Sequence, residues 1–264
     1  MTLSARIKAA LGQAVRDSSQ LPGGDLGGAA LITLEDGSRV VAKTGDLVAG
    51  EGKMLRAIAD TGAPAPDVLY CENTLLIMEF IESDGDIGWL SLAEKLHSLH
   101  APHDSAFGWG TDYAFGKVPI TNTLLGNWPG FWARRRLLPF CEHVDAALAR
   151  RIEALAIRLP DMLPATSPAA LLHGDLWSGN MLFRGGELVG LIDPASYYGD
   201  REVDFAMLQV FASPPESFFA ASDLAPGWRE RLPAYQLWPM RVHLRLFGSA
   251  YRERVESLLS ACGV

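Results

Sequence analysis

Hydrophobic positions in the first third of the chain switch repeatedly between the periods of a helix and a strand. Leu3, Ile7, Leu11 and Val15 recur every four residues, which predicts a leading helix over 3–16. The glycine-rich stretch Leu21-Pro22-Gly23-Gly24-Asp25-Leu26-Gly27-Gly28 then breaks the pattern. Ala30-Leu31-Ile32-Thr33-Leu34 and Arg39-Val40-Val41-Ala42-Lys43 read as strands, joined through the hairpin signal Asp36-Gly37. Residues 49–61 return to helical spacing, with Glu51, Leu55 and Ile58 on one face. Val68-Leu69-Tyr70 and residues 75–80 read as two more strands around a turn at Glu72-Asn73. The order strand, strand, helix, strand, strand describes a small mixed lobe. It ends at Glu82-Ser83-Asp84-Gly85, a polar, turn-forming stretch suited to a hinge.

Beyond that hinge the pattern is mainly helical. Residues 89–100, 141–159 and much of 200–260 carry helical periodicity. Residues 104–130 are rich in Gly, Asn, Trp and Pro and read as a long functional loop. Leu171-Leu172, Asn180-Met181-Leu182-Phe183 and Leu188-Val189-Gly190-Leu191-Ile192 read as strands, the last two turning at Gly185-Gly186. The predicted architecture is α+β and bilobal. A small β-rich N-lobe spans 1–81, and a larger, mainly helical C-lobe spans 82–264.

Composition narrows the class. With 264 residues, 48% of them hydrophobic, the chain can bury a sizeable core. A formal net charge of -8 without a basic stripe argues against a nucleic-acid partner. Cys71, Cys141 and Cys262 are odd in number and widely spaced, so neither a disulfide framework nor a zinc pattern follows. The longest apolar run, residues 75–81, is broken by Glu79 and is too short to span a bilayer. The first residues lack the apolar core of a signal peptide. The expectation is a cytoplasmic protein with no membrane partner.

The chemistry concentrates in His173-Gly174-Asp175-Leu176-Trp177-Ser178-Gly179-Asn180. Asp175 and Asn180 stand five residues apart, and Asp193 follows after a short hairpin. Phosphoryl transfer needs a carboxylate beside the acceptor hydroxyl and oxygen ligands for Mg²⁺. In this reading Asp175 orients the hydroxyl and takes its proton, while Asn180 and Asp193 hold the metal on the phosphates of ATP. Lys43 ends a strand just after the glycine-rich turn, where a kinase places its phosphate-binding lysine. Glu51 opens the next helix as its partner. Gly24 and Gly27 lie where backbone amides can approach phosphate oxygens, although the same residues also suit an ordinary turn. His97, His100 and His103 recur every three residues, but no carboxylate or cysteine completes a metal set. Arg134-Arg135-Arg136 reads as a solvated helix face. Asp204 reads as a helix cap or a brace beneath the catalytic loop.

These strings resemble the fructosamine (ketosamine) kinases, relatives of aminoglycoside phosphotransferases and choline kinases. The resemblance rests on residues 171–180 and on Asp193-Pro194-Ala195-Ser196-Tyr197-Tyr198-Gly199-Asp200-Arg201-Glu202-Val203-Asp204. Phe107-Gly108, Asn122, Trp128-Pro129-Gly130-Phe131-Trp132, Tyr235-Gln236-Leu237 and His243 extend it over most of the chain. It implies a bilobal kinase with ATP against the linker Met78-Glu79-Phe80-Ile81. It also implies phosphorylation at O3 of a ketosamine, whose labile product results in deglycation of proteins or small amines. Trp177, Asn122 and His243 are implied on the acceptor side, against a small-molecule or glycated-amine substrate. Thr121 stands where many members have Gln, and Asp25 where some carry Cys. A kinase of the same fold acting on an aminoglycoside, an amino alcohol or another sugar is the alternative, and a non-catalytic pseudokinase is a third.

Overall fold

The computed structural model describes residues 1–21, 28–165 and 167–264. They form two compact units. The first comprises Met1–Ser98 with Gly179–Pro194, the second Leu99–Ser178 with Ala195–Val264. This division by compactness runs differently from a boundary at residue 81.

The first unit begins with helix α1 (Leu3–Leu11). The predicted helix over 3–16 is too long. Gly12 adopts the left-handed conformation, φ 72°, and its N–H closes the helix on the Lys8 carbonyl. Val15 therefore opens strand β1 (Val15–Gln20), which pairs with β2 (Ala29–Leu34). With β3 (Arg39–Thr44), β4 (Val68–Glu72) and β5 (Leu75–Glu79) these make an antiparallel sheet in the order β1-β2-β3-β5-β4. Helix α2 (Val48–Asp60) connects β3 to β4.

Strand periodicity assigns the faces. Val40, Ala42 and Ile77 pack with Ile7 of α1, whereas Val41, Leu76 and Met78 pack with Val48 and Leu55 of α2. Lys43 is two residues past Val41 and pairs across the sheet with Leu76, so it shares the α2 face.

Helix α3 (Trp89–Leu99) is tied to the hairpin Met181–Arg184/Glu187–Leu191. The Ser91 hydroxyl donates to Glu187 at 2.8 Å and accepts from the Leu188 N–H at 3.0 Å. Asp84 accepts from the Gly185 N–H at 2.7 Å, and the Leu191 N–H reaches the Pro64 carbonyl at 2.9 Å. These bonds draw a hairpin remote in sequence into the first unit.

The second unit is mainly helical, with long helices at Ala146–Met162, Glu202–Phe211, Trp228–Phe247 and Arg252–Ala261. The first of these starts later than residue 141, because Asp145 caps it by accepting from the Ala147 and Leu148 N–H groups. Residues 104–130 are more ordered than a loop. They hold the hairpin Tyr113–Phe115/Val118–Ile120 and a bridge between Phe107 and Leu125. Trp128-Pro129-Gly130-Phe131-Trp132 is core structure. Trp128 donates to the Tyr235 hydroxyl at 2.9 Å and Trp132 to the Ala234 carbonyl at 3.0 Å, both fully buried. A small sheet of Pro102–His103, Ala169–Leu171 and Tyr198–Gly199 frames the following loop, His173-Gly174-Asp175. Among the described residues no helix is long and apolar enough to cross a membrane.

Candidate active site

Lys43 lies at the end of β3 and Glu51 in the first turn of α2. The Lys43 ammonium donates to Glu51 Oε1 at 2.6 Å and also to Asp193 Oδ1. The Lys43 and Glu51 side chains are nearly buried, while Asp193 stays 36% exposed. Burial alone would pull the lysine pKa down. Coulombic attraction to Glu51 and Asp193 outweighs it, so the pKa is raised and the group remains an ammonium. Burial raises the pKa of Glu51, against the opposing pull of Lys43.

Asp193 is set by strained backbone. It is a non-glycine residue at φ 54°, directly before Pro194. The Ile192 N–H donates to the Asn180 carbonyl at 3.0 Å, which fixes the two ends of the hairpin side by side. Among the described residues no group of three His, Cys, Asp or Glu side chains could hold a metal. A divalent ion here would therefore rely on the oxygens of Asp193 and Asn180 together with phosphate oxygens, a hard donor set that fits Mg²⁺.

At the end of β5, Met78 is buried in the core against α2. The Glu79 N–H donates to the Asp67 carbonyl at 2.9 Å. Phe80 lies under the Arg39 guanidinium at 4.5 Å, and Ile81 rests against Gly190 of the hairpin. Gly24 and Gly27 lie outside the described residues.

In the second unit the backbone of the His173-Gly174-Asp175 loop is pinned at successive residues. The Leu172 N–H donates to the Tyr197 carbonyl at 3.0 Å, and the His173 carbonyl accepts from the Ala195 N–H at 2.9 Å. Gly174 has φ 81°, and a Cβ there would collide with the Ala195 carbonyl oxygen, so glycine is required twice over. Asp204, fully buried, accepts from the His173 N–H at 2.8 Å and the Gly174 N–H at 2.9 Å. Asp204 thus braces the loop from the helix that follows. The Asp175 N–H donates to His173 Nδ1 at 3.3 Å, and the Asp175 residue itself is half-buried.

Trp177, 38% exposed, meets Phe211 edge to face with centroids 6.3 Å apart. Phe211 continues to the His243 ring at 5.0 Å. His243 Nδ1 donates to the Pro239 carbonyl at 2.8 Å. Asn122 does not join this group. Its side chain is fully buried, accepting from Arg136 at 2.8 Å and donating to the Thr111 carbonyl at 3.3 Å. It locks a loop and has no surface left for a substrate.

Arg136 is the residue the sequence misassigned. It is completely buried rather than solvated, within a π-helical turn, Trp132–Leu137. Its guanidinium donates to the Thr121 carbonyl at 2.8 Å and lies over the rings of Tyr197, Phe131 and Trp238 at 4.2, 4.9 and 5.4 Å. The available signal was its position four residues after buried Trp132.

Comparison with known proteins agrees with this geometry. A family model described as fructosamine kinase matches residues 1–263. A probable ketoamine kinase of Lactiplantibacillus plantarum is 37% identical over 78% of this chain and 78% of its own. A candidate fructosamine-3-kinase from Thermobifida fusca has a crystal structure that superposes with a TM-score of 0.90, at 28% identity, covering 99% of this chain and 98% of that one. An aminoglycoside phosphotransferase, at 19% identity and TM-score 0.70 over 99% of each chain, shares the kinase-like fold. With a lysine tied to two carboxylates in one unit, a braced His-Gly-Asp loop in the other, and a family model matched from end to end, this chain belongs to the fructosamine kinase family.

Proposed function

We propose that the chain transfers the γ-phosphoryl group of ATP to a sugar hydroxyl of a ketosamine, and that the residues named above divide the work. The observation that carries this reading is the bonding of Lys43 to both Glu51 and Asp193, from segments 150 residues apart in sequence. An ammonium fixed in this way is a phosphate ligand that needs no rearrangement to act. Asn180 and Asp193 hold Mg²⁺, and Met78-Glu79-Phe80-Ile81 forms the strand end beside the nucleotide base. Bound Mg²⁺ supplies charge neutralisation on the phosphate oxygens.

On the acceptor side, Asp175 orients the sugar hydroxyl. As the new P–O bond forms, the bond from the γ-phosphorus to the β,γ-bridging oxygen breaks, ADP departs, and the hydroxyl proton passes to the Asp175 carboxylate. The Trp177 face packs on the sugar ring, and His243 Nε2 accepts from one of its hydroxyls. Phosphorylation at O3 gives a labile product, so the consequence is removal of the sugar from the amine. The residues of catalysis, Lys43, Asp175, Asn180 and Asp193, are all present, which weighs against a pseudokinase.

The test is an acceptor panel scored by ADP release, with fructosamine, ribulosamine and aminoglycoside substrates. The expected result is turnover on a ketosamine, with Asp175→Asn about 10²–10⁴-fold slower yet unchanged in Mg·ATP affinity. Turnover on an aminoglycoside alone would move the protein to the alternative acceptor class. A folded Asp175→Asn variant at wild-type rate would remove Asp175 from catalysis.

A further inference from the structure

Phe211 and Phe247 are the last residues of their helices, Glu202–Phe211 and Trp228–Phe247. In both helices it is the preceding residue, Val210 or Leu246, that packs against the core of the unit. Phe211 is left 37% exposed and Phe247 48%, a costly position for two large rings unless something covers them.

The two rings belong to one row. The His243 ring lies between them, 5.0 Å from Phe211 and 5.4 Å from Phe247. Tyr251 backs the row, 5.0 Å from His243 and 5.9 Å from Phe247. Gly248 allows this. At φ 84° and ψ -160° it holds a conformation open essentially to glycine alone, and there the chain leaves the helix for the turn Ser249–Tyr251. Through Phe211 the row meets Trp177, the ring assigned to the sugar. Charge is kept off this face. His243 and Phe247 stand one turn apart, which puts Arg245 on the opposite side of the helix. Arg252, next to Tyr251, is paired with Asp145 and Glu256.

We propose that Phe211, the face of His243 and Phe247 form a subsite for the substituent on the ketosamine's amine, and that this subsite selects an apolar substituent over a charged one. The proposal rests on the ketosamine reading. A ketosamine has two ends, and with its sugar on Trp177 the group carried by the amine needs a surface beside that ring. The row continues from Trp177 in steps of 5.0–6.3 Å and is apolar throughout. It gives an alkyl or aryl group somewhere to leave water, and it gives a carboxylate nothing in place of its hydration. The ring faces also accept the protonated amine itself.

The experiment uses ketosamines of one sugar on methylamine, benzylamine, glycine and N-acetyl-lysine, with steady-state kinetics at saturating Mg·ATP. In the wild-type enzyme the benzylamine derivative is expected to exceed the methylamine derivative about 10-fold in kcat/KM. The gain should appear in KM, because the contact is made equally in the ground and transition states. The glycine derivative should fall below both. Phe247→Ala is expected to bring the benzyl-to-methyl ratio within about threefold of unity, and Phe247→Leu to keep most of the preference, with a thermal melt recorded for each. The N-acetyl-lysine derivative separates the two sources of an apolar substituent. A rate equal to the benzyl derivative assigns the subsite to the stem of a polypeptide lysine, and a rate equal to the methyl derivative to a free apolar amine. Equal kcat/KM for the benzyl and methyl derivatives in the wild type, or a folded Phe247→Ala variant with the full preference, would overturn the subsite and leave the ketosamine reading standing. Turnover on none of the ketosamines would overturn both.

Discussion

Of the cations withdrawn from water among the described residues, Lys43 and Arg136 are held in opposite ways. Lys43 in the first unit is bonded to two carboxylates, one of which, Asp193, remains a third exposed. Arg136 in the second unit is completely buried and forms no ion pair among the described residues. It is held by the Thr121 carbonyl, the Asn122 side chain and three aromatic faces. The difference follows from the cations themselves. An ammonium is a compact, strongly hydrated charge and needs anions to replace its water. A guanidinium is planar, weakly hydrated and satisfied by carbonyl oxygens and ring faces. Around Lys43 the anionic charge exceeds the cationic charge, and the excess sits on the exposed carboxylate. That exposed carboxylate is the one the proposed Mg²⁺ site would use. The Arg136 arrangement serves packing, although its buried Nε finds no hydrogen-bond partner among the described residues.

The comparison can be broken most directly at Lys43. Lys43→Met is expected to cost about 10²–10³-fold in kcat, the scale of removing one preorganised electrostatic contact to a reacting group. The melting temperature should stay within a few degrees, because the neighbouring carboxylates can accept protons. A variant with normal turnover would mean that the Lys43 cluster is structural after all.

Asp193→Ala sharpens the same side. Removing the exposed carboxylate is expected to abolish most of the Mg²⁺-dependent gain in ATP affinity, read by calorimetry with and without the metal. Unchanged Mg·ATP binding would take Asp193 out of the metal site.

Arg136→Met should show the reverse signature. It leaves the Thr121 carbonyl and the Asn122 oxygen as buried acceptors without their donor, at roughly 1–3 kcal/mol each. The expected outcome is a loss of about 2–5 kcal/mol in urea unfolding, with kcat per folded molecule nearly unchanged. A stable variant that is catalytically dead would place Arg136 in the working site.

The smallest effect belongs to Tyr197, whose ring lies beneath Arg136. Among the described residues its buried hydroxyl makes no well-formed hydrogen bond, so Tyr197→Phe is expected to change stability by about 0.5 kcal/mol or less at neutral pH. Burial, partly opposed by Arg136, pushes the Tyr197 pKa up to about 12. A tyrosine in the unfolded chain ionises near 10. Below pH 10 the proton is bound in both states and the stability contribution is complete. Between about 10 and 12 only the unfolded chain releases it, so stability falls as pH rises through that window. The phenylalanine variant lacks this tyrosine's share, and its alkaline loss of stability should be shallower. Equal slopes for the two proteins would show that Tyr197 ionises as readily when folded as when unfolded.

Much of the fold was legible because it is written in short periods. The apolar runs of β2 and β3 and the Asp36-Gly37 signal between them placed both strands, and the Gly185-Gly186 turn was found where both residues take positive φ. Strand β1 was missed because Val15 continues the helical spacing of Leu11, and nothing in Arg16-Asp17-Ser18-Ser19-Gln20 alternates. That strand is exposed along its length and exists because β2 offers it backbone partners. The hairpin inside 104–130 was hidden for the same reason, being only three residues on each side. Asn122 was placed with the acceptor by resemblance, yet its burial against Arg136 gives it to the scaffold.

The sequence by itself determined the local elements, the spacing of Asp175, Asn180 and Asp193, and the presence of a lysine at the end of an apolar strand. Each depends on neighbours along the chain, and a period or a fixed interval records such neighbours directly. The sequence already offered Glu51 as the partner of Lys43 and Asp204 as a cap or a brace; only the tertiary structure added Asp193 to that pair, decided for the brace, and turned one arginine of three inward. Whether a charge is buried depends on donors, acceptors and rings brought from distant segments. Arg136 shows this most clearly, because the π-helical turn shifts its phase and the aromatic faces around it come from Phe131, Tyr197 and Trp238.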